Sequence, residues 1–584
     1  MPRAWTSSFR LSLVRQRRRL RGSEATFILL AALAGVCAGL LTIVQQLVAH
    51  GIQRLLYGVA INRLSALGSI HHPWRLLALP AGGLLLVMMT RTLRRQGRAP
   101  IDVVEANALH GGRVPLADTL TIAAQTILSN GAGASVGLEA AYAQVGGGVA
   151  SLLGSWLKLR RSDLRTLVGA GAGAAVGAAF GAPLTGAFYG FEIVIGTYTP
   201  SAIAPVLAAT LGAVSVTRAV GVTPYLIATT TGRTFTFPEY LAYAALGLVC
   251  ALVGIFIMRL VTFAEQRLQR WKRVNGWGPI VGGFLLIPLA LLSPQTLSAG
   301  HGALHLDLLL RPALSFLLIV LALKIAASVV SLSFGFRGGL FFASLFLGSL
   351  VGEIFAGTLD LVPLGVRLDV QDAALVGMAA LSVSVVGGPM TLAILMLETT
   401  HDFALMGVVL AATLVSSAFT RETFGYSFST WRLHLRGESI KSARDVGWVR
   451  TLTAGRMMRR PENAAQDATD VAEFRRCFPL GSTSRVVLLN RQGRYAGIVQ
   501  TASAYDEAAS LGAPIGTLAI HKDSTLLPDA DIRSVMATFD AASADELAVI
   551  SPDGAVLGIL SESYVRRRYA EELDKAQREL FGEA

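Results

Sequence analysis

Gly133-Ala134-Ser135-Val136-Gly137-Leu138-Glu139-Ala140-Ala141-Tyr142-Ala143-Gln144-Val145-Gly146-Gly147-Gly148 is the stretch on which the reading of this chain turns. It places one carboxylate, Glu139, at a glycine-broken helix start inside an apolar tract with no basic partner. An ionised side chain at membrane depth costs at least about 2.5–3.5 kcal/mol on insertion scales, so a carboxylate there points to function. A helix start also aims unsatisfied backbone N–H groups, and about half a positive charge, at whatever lies before it.

The surrounding composition places that tract in a bilayer. The chain has 584 residues, of which 53% are hydrophobic and only 15% charged, which is too apolar for an ordinary soluble protein. A run of arginines, including Arg15, Arg17, Arg18, Arg19 and Arg21, precedes an apolar run from Ala25 to about Val48. That run is too long for a secretory signal and reads as a retained helix. The formal charge of +13 gathers at the N-terminus and after Tyr426. Flanking membrane spans, such clusters mean cytoplasmic loops and contact with anionic lipid, not nucleic acid. The expectation is a multi-pass protein of the cell membrane with both termini cytoplasmic.

From Leu76 to Arg436 the hydrophobic stretches vary in length and are interrupted by Gly and Pro, a pattern of short, broken helices rather than simple spans. Two interruptions correspond. Gly181-Ala182-Pro183-Leu184-Thr185 is followed by Glu192, and Gly388-Pro389-Met390-Thr391 by Glu398, each glutamate nine positions after its proline. The prolines are 206 residues apart; Glu139 and Phe341, the latter within Gly338-Gly339-Leu340-Phe341-Phe342, are 202 apart. Agreement of two landmarks predicts a duplicated unit, with repeats at roughly 25–220 and 235–436. Helix ends meeting at mid-membrane make an anion site without a buried lysine or arginine. Glu139 can occupy an anion position itself and leave it when protonated or displaced.

Three other patterns compete. Gly133-Ala134-Ser135-Val136-Gly137 fits G-x-S-x-G, so an intramembrane serine protease using Ser135 stands as an alternative, although an apolar helix-like run precedes it and His110 is the only nearby histidine. Gly169-Ala170-Gly171-Ala172-Gly173 lacks dinucleotide-loop spacing and predicts close helix packing through small residues. Cys37, Cys250 and Cys477 lie too far apart to suggest a disulfide framework or a zinc site. Neither a metal nor catalytic residues are expected.

After a polar linker at 437–451 the composition becomes that of a soluble α/β domain. Val486–Leu489 and Tyr495–Val499 flank Gln492-Gly493, and Leu547–Ile550 and Ala555–Leu560 flank Asp553-Gly554, so each set predicts a hairpin. Gly493 to Gly554 and Gly497 to Gly558 are both 61 residues apart, which predicts a tandem of modules at roughly 452–510 and 511–574.

Together these residues carry a resemblance. Gly137-Leu138-Glu139-Ala140-Ala141 through Gln144-Val145-Gly146-Gly147 resembles the G-[KR]-E-G-P…Q-[IV]-G-G signature of the CLC chloride channel and transporter family. Gly339-Leu340-Phe341-Phe342-Ala343 resembles its G-I-F-x-P, and Gly181-Ala182-Pro183-Leu184-Thr185-Gly186 its A-P-L-x-G. Tyr426-Ser427 matches the place of its inner-gate tyrosine, and the tail is similar to a CBS-domain pair.

The resemblance implies an all-α polytopic membrane unit over 25–436, an inverted repeat of broken helices, behind a basic segment at 1–24. It implies a homodimer that moves chloride or a similar monovalent anion and is not an enzyme. Glu139 and Tyr426 would gate, and Gly137, Leu138, Ala140, Gly339, Leu340 and Phe341 would line the anion site. Departures accompany it. The family's G-S-G-I-P loop appears only as Gly97-Arg98-Ala99-Pro100, without its serine. Where proton-coupled members carry two glutamates, this chain has Glu192-Ile193, which favours channel-like conduction over chloride/proton exchange. For Glu192 the competing reading is a structural carboxylate bonded to backbone N–H groups. The CBS motif's ribose-binding aspartate is missing from both Gly497-Ile498-Val499-Gln500-Thr501-Ala502-Ser503 and Gly558-Ile559-Leu560-Ser561-Glu562-Ser563-Tyr564. Adenine-nucleotide binding, with Ser561 as its nearest residue, is therefore secondary to a structural role.

Overall fold

The computed structural model describes residues 23–581 apart from 60–63, 71, 94–99, 222–233, 271–275, 311, 364, 436–451 and 462. The basic N-terminus, the linker and Gly97–Ala99 of the degraded loop lie outside those residues. The chain forms two compact units, Met1–Asp445 and Val446–Ala584.

The first unit is helical. Its helices are α1 (Glu24–Tyr57), α2 (Ala78–Leu93), α3 (Val103–Leu109), α4 (Leu116–Gly131), α5 (Glu139–Trp156), α6 (Arg161–Phe180), α7 (Pro183–Tyr189), α8 (Pro200–Ala219), α9 (Phe237–Arg270), α10 (Gly278–Leu292), α11 (His301–Leu310), α12 (Leu314–Ser333), α13 (Phe341–Leu359), α14 (Val370–Val386), α15 (Pro389–Thr400), α16 (Phe403–Thr423) and α17 (Phe428–Leu435). Seven helical segments among the described residues are long and apolar enough to cross a membrane. At 1.5 Å per residue α1 and α9 run about 50 Å, longer than a hydrocarbon core of about 30 Å, whereas α7 and α15 are under about 20 Å and cannot span it.

Local chemistry sets those short helices. Gly181 and Gly387 end α6 and α14 with φ of +68° and +86°. That left-handed turn suits a residue without Cβ, and a proline at the first helical position restarts the chain two residues later. In both halves a glycine stop and a proline start create the same break.

The halves also pack alike. Gly146 of α5 and Gly171 of α6 bring their backbones together, so that a Cβ on Gly171 would stand 2.5 Å from the Gly146 carbonyl oxygen. The counterparts are Gly348 of α13 and Gly377 of α14, where a Cβ on Gly348 would stand 2.8 Å from the Met378 Cα. These glycines repeat at offsets of 202 and 206 residues, the same as Glu139–Phe341 and Pro183–Pro389. Gly171 thus serves helix contact through small residues and forms no dinucleotide loop.

The second unit holds α18 (Ala454–Met457), α19 (Val471–Cys477), α20 (Ile532–Ala542) and α21 (Glu562–Phe581) with β1 (Ala464–Gln466), β2 (Arg485–Leu489), β3 (Tyr495–Gln500), β4 (Thr525–Leu526), β5 (Glu546–Ile550) and β6 (Val556–Ser561). Two sheets have the orders β1-β2-β3 and β4-β5-β6, each with one parallel pair and one antiparallel hairpin. The irregularity at Leu488/Leu489 recurs at Val549/Ile550, again 61 residues on. Burial pushes the Tyr495 hydroxyl's pKa upward, and its O–H donates to the His521 carbonyl at 2.9 Å. One difference from the sequence reading is that Leu452, Ala454 and Met457 pack with Leu526, Ile532 and Leu560. The Arg459 N–H also bonds the Ile559 carbonyl at 3.0 Å. The start of this unit therefore completes the core of the second sheet, a pairing that sequence proximity alone hides.

Candidate functional site

The site is assembled where α4 stops short of α5 and α12 stops short of α13. After α4 the chain turns at Gly133, with φ of +93°, and passes through irregular backbone to Glu139, the Val136 N–H donating to the Ala134 carbonyl at 2.8 Å. Side chains hold this passage: Asn130 Nδ2 donates to the Val136 carbonyl at 2.8 Å, and the Ser135 N–H donates to Ser331 Oγ at 3.0 Å. The Gly137 N–H then donates to the Gly339 carbonyl at 2.9 Å, and the Gly339 N–H donates back to the Gly137 carbonyl at 3.2 Å. This antiparallel bridge ties the starts of α5 and α13 together.

Glu139 follows the bridge directly. It is the first residue of α5 and is 4% exposed. Its carboxylate faces the backbone N–H groups at the starts of α5 and α13, among them that of Phe342, while Oε2 has no hydrogen-bond partner. A Cβ built on Gly137 would overlap that oxygen, whereas one on Gly339 would lie 3.7 Å from it. The carboxylate thus folds back over the two glycines, across the positive ends of both helices. Leu138 and Leu340 hold the equivalent N-cap positions of α5 and α13 and are buried. Ala140, half-buried, lies against Gly339, where a Cβ would stand 3.6 Å from both the Ala140 nitrogen and its Cβ.

Aromatic rings enclose this point. Phe341 packs against Phe180 at 5.4 Å and Tyr189 at 6.2 Å between ring centroids, and His301 stacks on Phe342 at 3.4 Å. Tyr189 lies within electrostatic reach of both Glu139 and Asp102. Asp102 caps α3, its carboxylate accepting from the Glu105 N–H at 2.8 Å, so that helix end already carries an anionic group. Phe180, Tyr189 and Asp102 escape sequence reading because they reach the site through space, from α6, α7 and the start of α3.

The two proline breaks are joined reciprocally. Glu192 accepts from the Met390 N–H at 3.2 Å, the Thr391 N–H at 2.9 Å and the Thr391 hydroxyl at 2.7 Å. Glu398 accepts from the Leu184 N–H at 2.9 Å, the Thr185 N–H at 2.7 Å and the Thr185 hydroxyl at 2.7 Å. Each half supplies the carboxylate that caps the other half's short helix. The nine-residue spacing is the sequence signal for this pair. The stretch that holds Glu192 and Ile193 is π-helical, Gly190–Ile195, and Ile193 is half-buried against the core.

Tyr426 stands at the second break. It packs on Phe424 at 6.3 Å and Trp431 at 5.3 Å, and its neighbour Ser427 fills the space beside Gly387. Ser135, by contrast, is fully buried with Oγ 3.1 Å from Ser328 Oγ. Its hydroxyl meets another serine instead of a base, which removes the nucleophile reading. In the second unit Ser561 pairs in register with Glu546 at the end of β6, and it does not line the cavity of about 640 Å³ formed by Asp467, Asn490, Arg491, Thr517 and Lys522 among others.

Residues 82–421 match the family described as "Voltage gated chloride channel", which covers more than half of the chain. The chain belongs to the voltage-gated chloride channel family. It is 27% identical over 415 residues to the "Voltage-gated ClC-type chloride channel ClcB" of Salmonella typhi, covering 68% of this chain and 95% of that one. It is 25% identical over 359 residues to the protein of that name in Escherichia coli O81, covering 60% and 84%. Among solved structures, a "slow cyanobacterial Cl-/H+ antiporter" superposes with a TM-score of 0.61 at 21% identity, over 70% of this chain and 97% of that one. A "CLC-type fluoride/proton antiporter" gives 0.58 at 21%, over 68% and 96%. A "eukaryotic CLC transporter" gives 0.59 at 17%, over 94% and 98%, a span that reaches into the second unit. As a member of the chloride channel family this is a multi-pass membrane protein for anion transport and not an enzyme.

Proposed function

We propose that the protein conducts chloride or a similar monovalent anion through the site at the Gly137–Gly339 bridge, with Glu139 as its gate. The observation that carries this reading is the position of the Glu139 carboxylate over two paired helix N-termini with one oxygen unpartnered. An anion and this carboxylate compete for the same N–H groups and dipole ends. Protonation removes the carboxylate's charge, releases its hold on the Phe342 N–H and leaves those donors to the permeant anion. Backbone around Gly339, Leu340 and Phe341, with Gly137, Leu138 and Ala140 facing it, lines the anion position, and Tyr426 closes the inner end.

Conduction is channel-like. Glu192 spends both carboxylate oxygens on the α15 start, and Ile193 beside it carries no titratable group, so no carboxylate is free there to pass protons. Chloride/proton exchange is the second reading, supported by the antiporters among similar folds. The protein acts as a homodimer in the cell membrane with cytoplasmic termini, and its second unit is a CBS-like pair that stabilises the assembly rather than one built around adenine nucleotide.

The deciding experiment reconstitutes the full chain in liposomes under a chloride gradient and records chloride and proton fluxes together. Chloride efflux without proportional proton movement is expected. Proton uptake in a fixed ratio against its gradient would overturn channel-like conduction in favour of exchange, and absence of any anion flux would overturn both.

A further inference from the structure

A second pair of carboxylates lies inside the first unit, away from the gate. Asp307 of α11 and Glu353 of α13 are 2% and 3% exposed and lie within electrostatic reach of each other. Gln295, 4% exposed, donates from Nε2 to Asp307 Oδ1 at 2.7 Å. Three oxygens remain without a hydrogen-bond partner: Asp307 Oδ2, Glu353 Oε1 and Gln295 Oε1. All three are acceptors, and they come from three separate segments of the chain.

The neighbouring charged groups do not neutralise this pair. Lys324 of α12 donates to the Ser298 carbonyl at 2.7 Å and the Thr296 carbonyl at 3.3 Å, and stands 5.7 Å from the Phe346 ring. Its field, with those of His50 and His305, falls on His301. On α14, Asp372 adds a further acidic group, bonded through its N–H to Asp369. Among the described residues neither Asp307 nor Glu353 has an ion-pair partner.

Two ionised carboxylates buried within electrostatic reach of each other each carry a desolvation penalty of several kcal/mol and repel one another. One proton removes a charge and turns an orphan acceptor into an O–H donor for another. We propose that Asp307 and Glu353 form a proton-binding carboxyl pair, exchanging one proton with the surrounding water as a second protonation site beside Glu139.

Its placement gives that proton a route of influence. The two carboxylates sit on α11 and α13, and the same two helices touch at His301 and Phe342, whose N–H faces the Glu139 carboxylate. Losing that proton sets like charges on α11 and α13 against each other and loosens the contact of these helices at Phe342. Anion transport should therefore keep a pH-dependent step after the gate carboxylate is gone.

The test uses the full-length Glu139→Gln protein and two double variants that add Asp307→Asn or Glu353→Gln. Infrared spectroscopy should detect a protonated-carboxyl C=O band in Glu139→Gln that is lost in both double variants and retained with Glu353→Asp. Chloride flux in liposomes should keep a pH-dependent step in Glu139→Gln and lose it in the double variants. A C=O band that is absent from Glu139→Gln, or that persists undiminished in both double variants, overturns the proposal whatever the flux. Because the infrared readout needs no transport, failure of the proposed gate and failure of this pair are separable.

Discussion

Glu192 and Glu398 lie 206 residues apart, and each caps the helix that begins the other's proline break. With the Gly137–Gly339 bridge, this exchange makes the central site a joint product of both halves.

Replacing Glu139 by Gln mimics the protonated form of the proposed gate. Chloride flux in liposomes should lose the part of its pH dependence that the proposed gate supplies, keeping the step assigned to Asp307 and Glu353, because in that proposal protonation of Glu139 frees the helix N–H groups. Any proton coupling should vanish. Wild-type pH dependence in the variant would remove Glu139 from the gating role.

Gly137→Ala and Gly339→Ala form a matched pair. The first places a methyl where Glu139 Oε2 now lies, while the second leaves 3.7 Å. Gly137→Ala should displace the carboxylate and shift the pH profile as Glu139→Gln does; Gly339→Ala should leave that profile near wild type. Equal behaviour of the two in flux assays would contradict the placement of the carboxylate.

Glu192→Ala and Glu398→Ala each leave two backbone N–H groups and a threonine hydroxyl without their acceptor. A loss of about 1–3 kcal/mol is expected for either. Thermal unfolding in detergent should show similar decreases in Tm for both. A Glu192 variant with unchanged Tm but altered proton flux would instead assign that residue to coupling.

Adenine nucleotide offers a check on the second unit. A ligand at 100 times its Kd raises stability by about 2.7 kcal/mol if it binds only the folded state. The full chain should show no Tm shift with ATP, as the proposed CBS-like pair without a ribose-binding aspartate implies. A saturating upward shift, lost on changing residues around Ser561, would establish nucleotide binding.

Much of the architecture is readable along the chain because its signals are local. Gly-Pro breaks and the Gln492-Gly493 and Asp553-Gly554 turns depend on neighbouring residues, the 61-residue offset is a count along the chain, and the helices and hairpins follow them. What resists reading is contact through space. The nine-residue spacing of Glu192 and Glu398 says that they correspond, but not that each crosses to the other half. Phe180 and Tyr189 look like ordinary apolar helix residues until packing sets them beside Phe341. Nor does hydropathy distinguish Asp307 and Glu353 from surface carboxylates, since burial is a property of the packed helices.

The exchanged glutamate caps bear on how such a chain can be divided. Separated between α8 and α9, each fragment would leave one short helix with bare donors and one carboxylate with nothing to hold. Neither fragment would be complete alone, yet the two made together in one cell carry every group needed to repair one another.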